Sequence, residues 1–287
     1  MRNINQIFFL IILLLGLQAC SKSDANSSLE ELESLEYAEL LEVSYGEDPE
    51  QTFDIYLPAY RTEDTKVMIL VHGGGWTSGD KTDMNLIKDL IQTDLPDLAI
   101  VNINYRLANP DHLPFPMQID DITAVVNHLQ DNQSTYVISN AIGFLGTSAG
   151  AQLSLLWSYA HDTDNLVKMV ASIVGPTNFT DPAYLESNNP LALALIASFG
   201  IDTSTAFLEY VSPYHRATTT SPPTILFNGG SDPLVPTSQG VDMDAKLTEL
   251  GITHSFTLYP NEAHGWDGEE LIDTWTSIKA FTQVHLD

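Results

Sequence analysis

Residues 67–71, Val-Met-Ile-Leu-Val, form a continuous apolar run rich in β-branching and end at glycines. A short run of this kind predicts a strand covered on both faces, as in a parallel sheet. Comparable runs occur at 98–103, 142–145, 167–174, 224–227 and 255–259. Between them the period lengthens: Ile119, Ile122, Val125, Val126 and Leu129 share one face of a helix expected over 118–129. Residues 53–57 alternate apolar and polar, as an early antiparallel strand does. Strands alternating with helices imply a mostly parallel, doubly wound α/β sheet. Sites on such sheets lie at the carboxyl ends of the strands. Residues 181–215 lie between two expected strands and carry an apolar piece at 191–199. They read either as a small cap over the site or as a surface helical excursion.

The N-terminus has a different pattern. A short positive start precedes an apolar run over 7–17. That run is too short to span a bilayer and has the length of a signal-peptide core. Leu17-Gln18-Ala19-Cys20 follows and resembles a bacterial lipobox. The expected organisation is a signal peptide over 1–19, a flexible tether over 20–42 lipid-anchored at Cys20, and one folded domain over 43–287. The other reading is an ordinary signal peptide with a free thiol nearby. Residues 21–28 are rich in Ser, Asn and Asp, and Leu and Glu at mixed spacing suggest a short acidic helix over 29–41. A lipidated Cys20 implies a bacterial cell-envelope location, facing the periplasm or the exterior.

Composition narrows the function classes. At 287 residues and 44% hydrophobic, the chain can fill a large core. Its 38 acidic against 11 basic side chains give a net charge of −27. That balance argues against nucleic acid or an anionic membrane surface as partner. Membrane contact is therefore expected only through the lipidated N-terminus. Cys20 is the single cysteine, so no intramolecular disulfide forms. Oligomeric state is left open.

Chemistry concentrates at four strand ends. Gly146-Thr147-Ser148-Ala149-Gly150 is a G-x-S-x-G arrangement in which a strand turns sharply into a helix. His72-Gly73-Gly74-Gly75-Trp76 follows the 67–71 run, and a Gly-rich backbone exposes N–H groups of the kind an oxyanion hole requires. Asp232 lies in the loop after 224–227, and His264 in the loop after 255–259. The chain order Ser, Asp, His, each following a strand, is the α/β-hydrolase order.

These blocks resemble the α/β-hydrolase superfamily, whose fold the chain is expected to adopt with about eight strands flanked by helices. The HGGGW block is most similar to esterases and lipases of the hormone-sensitive-lipase and feruloyl/acetyl-xylan esterase branches. Asn104-Tyr105-Arg106-Leu107, Leu113-Pro114-Phe115-Pro116 with Asp120-Asp121, and Val43-Ser44-Tyr45-Gly46 ahead of Asp54-Ile55-Tyr56-Leu57-Pro58 are similar to blocks found there. The HGGGW form is also close to kynurenine-formamidase-like enzymes, which keeps amide chemistry open. The resemblance runs from Val43 to the C-terminus.

Residue by residue, Ser148 is the expected nucleophile, and a serine hydroxyl needs a base beside it. Among eight histidines, His264 has the strand-end context; His72 belongs to the glycine block and more plausibly orients it. Asp232 is the expected acid that holds the imidazole. Asp242 and Asp244 fall on the next helix, and Glu262 is too near His264 in sequence to bridge to it. Gly74, Gly75 and Ala149 are the expected oxyanion donors, although the choice of two among Gly73, Gly74 and Gly75 stays open. Trp76 either lines the acyl pocket or packs. Asp120 and Asp121 cap or buttress a helix. No cofactor and no metal site is expected, since no His/Asp cluster has ligand spacing. The implied function is a serine carboxylic-ester hydrolase acting on a small-molecule or carbohydrate ester, such as an acetylated or feruloylated sugar. The alternatives are an amidase, formamidase or exopeptidase with the same triad, and an anchored binding protein with a vestigial site.

Overall fold

The computed structural model describes residues 35–199 and 204–286. The expected signal peptide, Cys20 and the tether up to residue 34 lie outside the described residues. The sheet has eight strands: β1 (Ala38–Ser44), β2 (Thr52–Leu57), β3 (Val67–Val71), β4 (Ala99–Ile103), β5 (Ile142–Thr147), β6 (Val167–Ile173), β7 (Thr224–Gly229) and β8 (His254–Tyr259). Their spatial order is β1-β2-β4-β3-β5-β6-β7-β8. β2 pairs antiparallel with both β1 and β4, and every other pair is parallel. Among the described residues, the helices of ten residues or more are α1 (Asn85–Asp94), α2 (Pro114–Asp131), α3 (Ala149–Ala160), α4 (Pro190–Phe199), α5 (Ser238–Leu250) and α6 (Gly268–His285). This is the α/β-hydrolase fold.

The apolar runs are continuous because both faces of the sheet are covered. Val67, Ile69 and Val71 of β3 join Ile119, Ile122 and Val125 of α2, Leu153 and Leu156 of α3, and Met243 of α5 in one core. Met68 and Leu70, which alternate with them, join Ile91 of α1 and Trp275 and Ile278 of α6 in a second core on the other face. Strand alternation distributes one run between two cores.

The parallel strands finish nearly level. Val71 pairs with Gly146, Thr147 with Ile173, Ile173 with Phe227, and Gly229 with Tyr259. The loops that follow β3, β5, β7 and β8 therefore leave from one edge of the sheet.

Two expectations need correction. The described fold takes in β1 from Ala38, so it begins ahead of the expected boundary at Val43. The helix expected over 29–41 is not formed in its described part, because Ala38, Glu39 and Leu40 pair with Leu57, Tyr56 and Ile55. The cause is a β-bulge between Leu40 and Val43, with Glu42 at φ 54. A bulge inserts a residue and breaks the period of two, which hides the strand in the sequence pattern.

The 181–215 segment contains a short helix at Pro182–Leu185, then α4, then helices at Thr205–Tyr210 and Pro213–Arg216. It packs onto the site-bearing edge of the sheet. Asn189 Nδ2 donates to the Pro233 carbonyl, Gln152 Nε2 of α3 donates to the Val211 carbonyl at 2.9 Å, and Phe179 N donates to Ser212 Oγ at 2.8 Å.

Candidate active site

β5 delivers Ser148 at the turn into α3. Ser148 has φ 51 and ψ −119, and its N–H donates to the Ile173 carbonyl at 2.8 Å. A non-glycine residue held there costs about 1–3 kcal/mol, which the packing around it must offset. The turn closes because Gly150 carries no side chain: a Cβ there would strike the carbonyls of Val71 and His72 at the end of β3. Ala149 is the first residue of α3, so its N–H has no intrahelical acceptor and sits at the positive end of the helix.

The loops after β7 and β8 bring the other two groups to the serine. Gly230 N donates to the Tyr259 carbonyl and Ser231 N to the Glu262 carbonyl, both at 2.8 Å, which laces the two loops together. His264 Nε2 lies 2.8 Å from Ser148 Oγ, and His264 Nδ1 lies 2.7 Å from Asp232 Oδ2. A carboxylate only accepts, so the proton is on Nδ1 and Nε2 is left to accept from the serine hydroxyl. The Asp232 side chain is 1% exposed, against 21% for His264. Its second oxygen, Oδ1, accepts from Leu234 N at 2.8 Å and Val235 N at 3.0 Å. Asp232 therefore organises its own turn and also holds the imidazole. Glu262 supplies a backbone carbonyl here. Asp242 and Asp244 lie on α5, where Asp244 pairs with His254 at 3.1 Å.

The loop after β3 runs beside the serine. A Cβ on Gly73 would lie 3.2 Å from Ser148 Cβ. Its carbonyls are held one after another. Gly73 O accepts from His72 Nδ1 at 2.7 Å and Tyr105 OH at 3.2 Å. Gly74 O accepts from Thr77 N at 3.2 Å, Ser78 N at 3.1 Å and Ser78 Oγ at 2.8 Å. In a trans peptide the C=O of one residue and the N–H of the next point opposite ways. Fixing these two carbonyls therefore fixes the directions of the Gly74 and Gly75 N–H groups. Gly74 has φ 109, a conformation that needs glycine.

His72 orients this loop, as its place in the glycine block suggested. Its ring stacks on Tyr105 with centroids 4.2 Å apart, and burial pushes its pKa below the ordinary histidine value. The neutral ring donates from Nδ1. Trp76 packs: it is fully buried, its Nε1 donates to Gln152 Oε1 at 3.0 Å, and it meets Phe179 edge-on at 5.9 Å. Asp121 buttresses. It is buried on α2, pairs with Arg106 Nη2 at 2.6 Å and accepts from Arg106 N at 2.8 Å and Gln51 Nε2 at 2.8 Å.

Sequence reasoning missed several residues that shape the site. Gln118 Nε2 donates to the carbonyls of Trp76 (2.7 Å) and Arg106 (2.8 Å), joining the two loops. Gln152 joins Trp76 to the 181–215 segment. Tyr184 is buried near Asp232, and its hydroxyl has no hydrogen-bond partner among the described residues. Burial, with the charges of Asp232 and Asp181, holds that phenol well above its ordinary pKa. None carries a sequence signal stronger than a polar residue within an apolar stretch.

An open hollow of about 450 Å³ lies beside residues 106–120, lined by Arg106, His112, Phe115 and Asp120 among others. Phe115 meets Tyr210 edge-on at 5.5 Å, and the Arg216 guanidinium lies over the Tyr210 ring at 4.9 Å.

Comparison with known proteins agrees with this architecture. The chain is 25% identical over 272 residues to Esterase LipC of Mycobacterium tuberculosis, covering 87% of this chain and 66% of that one. Among solved structures, a truncated form of a carbohydrate esterase from gut microbiota superposes with a TM-score of 0.70 at 20% identity, covering 86% of this chain and 98% of that one. An acetyl ester-xyloside bifunctional hydrolase from Caldicellulosiruptor lactoaceticus superposes with a TM-score of 0.67 at 15% identity, covering 81% and 88%. The BD-FAE family model matches residues 53–247, a span that includes Ser148, Asp232 and the glycine loop. By that match over more than half its length, the chain belongs to the BD-FAE family.

Proposed function

We propose that the protein is a serine carboxylic-ester hydrolase. The observation that carries this reading is the His264 imidazole bonded to Ser148 Oγ on one side and to Asp232 Oδ2 on the other. Ser148 Oγ attacks the ester carbonyl while His264 Nε2 takes its proton. Asp232 stabilises the imidazolium and keeps the ring in the productive tautomer. The N–H groups of Gly74, Gly75 and Ala149 receive the oxyanion of the tetrahedral intermediate. His264 then returns the proton to the departing alcohol, leaving an acyl group on Ser148. Water attacks that acyl-enzyme with His264 again as base and frees the acid.

The acid and alcohol are proposed to be those of an acylated carbohydrate. The support is that two structural neighbours are a carbohydrate esterase and an acetyl ester-xyloside hydrolase. An amidase or formamidase would use the same atoms.

One panel separates these readings: p-nitrophenyl esters of increasing chain length, acetylated xylan, methyl ferulate and N-formylkynurenine. Turnover of the short esters and the acylated xylan is expected. Turnover of N-formylkynurenine alone would replace the esterase reading with the formamidase one. No turnover of any substrate would leave the vestigial-site reading.

The cell-envelope location is part of the same proposal. Cys20 would carry lipid and hold the acidic domain at a membrane through the N-terminal tether. Supporting it are the short apolar core at 7–17 and the single cysteine directly after it.

A further inference from the structure

Lys81 is a lysine buried beneath the site. Its residue is 3% exposed. Nζ donates to Asp54 Oδ1 of β2 and to Glu42 Oε1 of β1, both at 2.7 Å. The backbone is held as well: Lys81 N donates to Asn104 Oδ1 at 2.6 Å, and its carbonyl accepts from Asn102 Nδ2 at 2.7 Å. The preceding Asp80 caps the short helix Lys81–Met84 and accepts from Asn104 Nδ2 at 2.9 Å. Every polar atom of Lys81 is thus committed to a strand or to the residues at the end of β4.

This anchor lies at the far end of the glycine loop. Between the two, Gly79 sits directly under the imidazole of His72. A Cβ on Gly79 would lie 2.5 Å from His72 Nδ1 and 2.6 Å from the Gly73 carbonyl. Those two atoms form the hydrogen bond that fixes the direction of the Gly74 N–H. A displacement of Lys81 would move Asp80 and Gly79, and with them the contact that sets the oxyanion donors. The bulge in β1 serves the same cluster. Glu42, at φ 54, turns its N–H onto Asp54 Oδ1 at 2.9 Å and its carboxylate onto Lys81.

We propose that Lys81 is a positioning residue for the oxyanion loop, and that Glu42 ties that loop to the N-terminal strand. The ammonium bonds carboxylates of both β1 and β2 and so ties the two strands to the end of the glycine loop. The proposal rests on the reading of Gly74 and Gly75 as oxyanion donors. Donors of this kind act on the transition state more than on the bound substrate, so the effect of loosening them falls on kcat.

The test uses the full-length protein with Lys81→Met and Glu42→Gln, assayed on p-nitrophenyl acetate and followed by hydrogen exchange over residues 73–79. Lys81→Met should lower kcat about 10–100-fold with KM within about twofold, less than the loss of a whole oxyanion donor. Glu42→Gln should lower kcat by about threefold, since that carboxylate is largely solvated and Asp54 remains. Both should speed exchange at 73–79 and leave α6 unchanged. If Lys81→Met does not fold, Glu42→Gln decides by the same two readouts. Wild-type kcat and wild-type exchange in the folded variants would overturn the proposal, as would a rise in KM alone. If the wild type hydrolyses no ester, the esterase reading fails, and the clamp stands or falls on the exchange of 73–79.

Discussion

Asp232 holds His264 with one carboxylate oxygen and its own loop with the other. Oδ2 lies 2.7 Å from His264 Nδ1, while Oδ1 accepts from the backbone N–H groups of Leu234 and Val235. The acid is therefore rigid before it meets the histidine. An imidazole held by a fixed carboxylate loses little entropy in reaching the serine. In the proposed mechanism the Asp232–His264 pair is a preorganised support for proton transfer.

Replacing Ser148 by Ala should remove nearly all hydrolysis while the fold is retained. Loss of a nucleophile in such a site costs about 10⁴–10⁶ in kcat. A fluorophosphonate probe should label Ser148 and no other serine, as peptide mapping would show. Substantial turnover by a purified, folded Ser148→Ala protein would sink the mechanism.

The choice of acid is tested by a pair of amide variants. Asp232→Asn should lower kcat by a factor on the order of 10⁴, because the amide stabilises the wrong imidazole tautomer. Glu262→Gln should leave kcat close to wild type, since the role of Glu262 at the site is through its main-chain carbonyl. Steady-state kinetics on one ester settles the comparison, and reversed effects would move the acid to Glu262.

Stability should fall on the acid side of neutrality. Burial depresses the pKa of His72, and it acts in the same direction on His128, His161 and His215. The unfolded chain takes up these protons near the ordinary value of about 6.5, where the folded chain does not. The stabilisation is complete above that pH and is lost as pH drops from there toward the depressed folded values. Calorimetric melting between pH 7.5 and 5.5 should show Tm falling, with a shallower fall in His72→Gln. Parallel slopes for the two proteins would remove His72 as a cause.

Cys20→Ser should release the protein from the membrane or leave an uncleaved precursor, without changing kcat. One acyl chain holds a protein only marginally, whereas two or three hold it stably. The readout is esterase activity in membrane and soluble fractions of a Gram-negative host. Equal partitioning of wild type and variant into the soluble fraction, with identical mature N-termini, would rule the anchor out.

Local pattern alone was enough for the apolar strands, the α2 face, the elbow at Ser148 and the order Ser148, Asp232, His264. A strand buried on both faces and a turn of small residues each leave their mark within a few positions, because burial and backbone sterics act locally. The tertiary structure decided the rest. β1 escaped because the bulge at Glu42 breaks its alternation. Nothing in the local sequence marks Lys81; β1 and β2 bring Glu42 and Asp54 to it across 39 and 27 residues of chain. Trp76 turned out to be packed, and Asp121 a buttress, only once Gln152 and Arg106 were in place beside them. The direction of the Gly74 and Gly75 N–H groups depends on Tyr105 and Ser78 as much as on the glycines themselves. A buried polar group must find a partner, and which partner it finds is a property of how distant segments pack, not of the residues beside it in the chain.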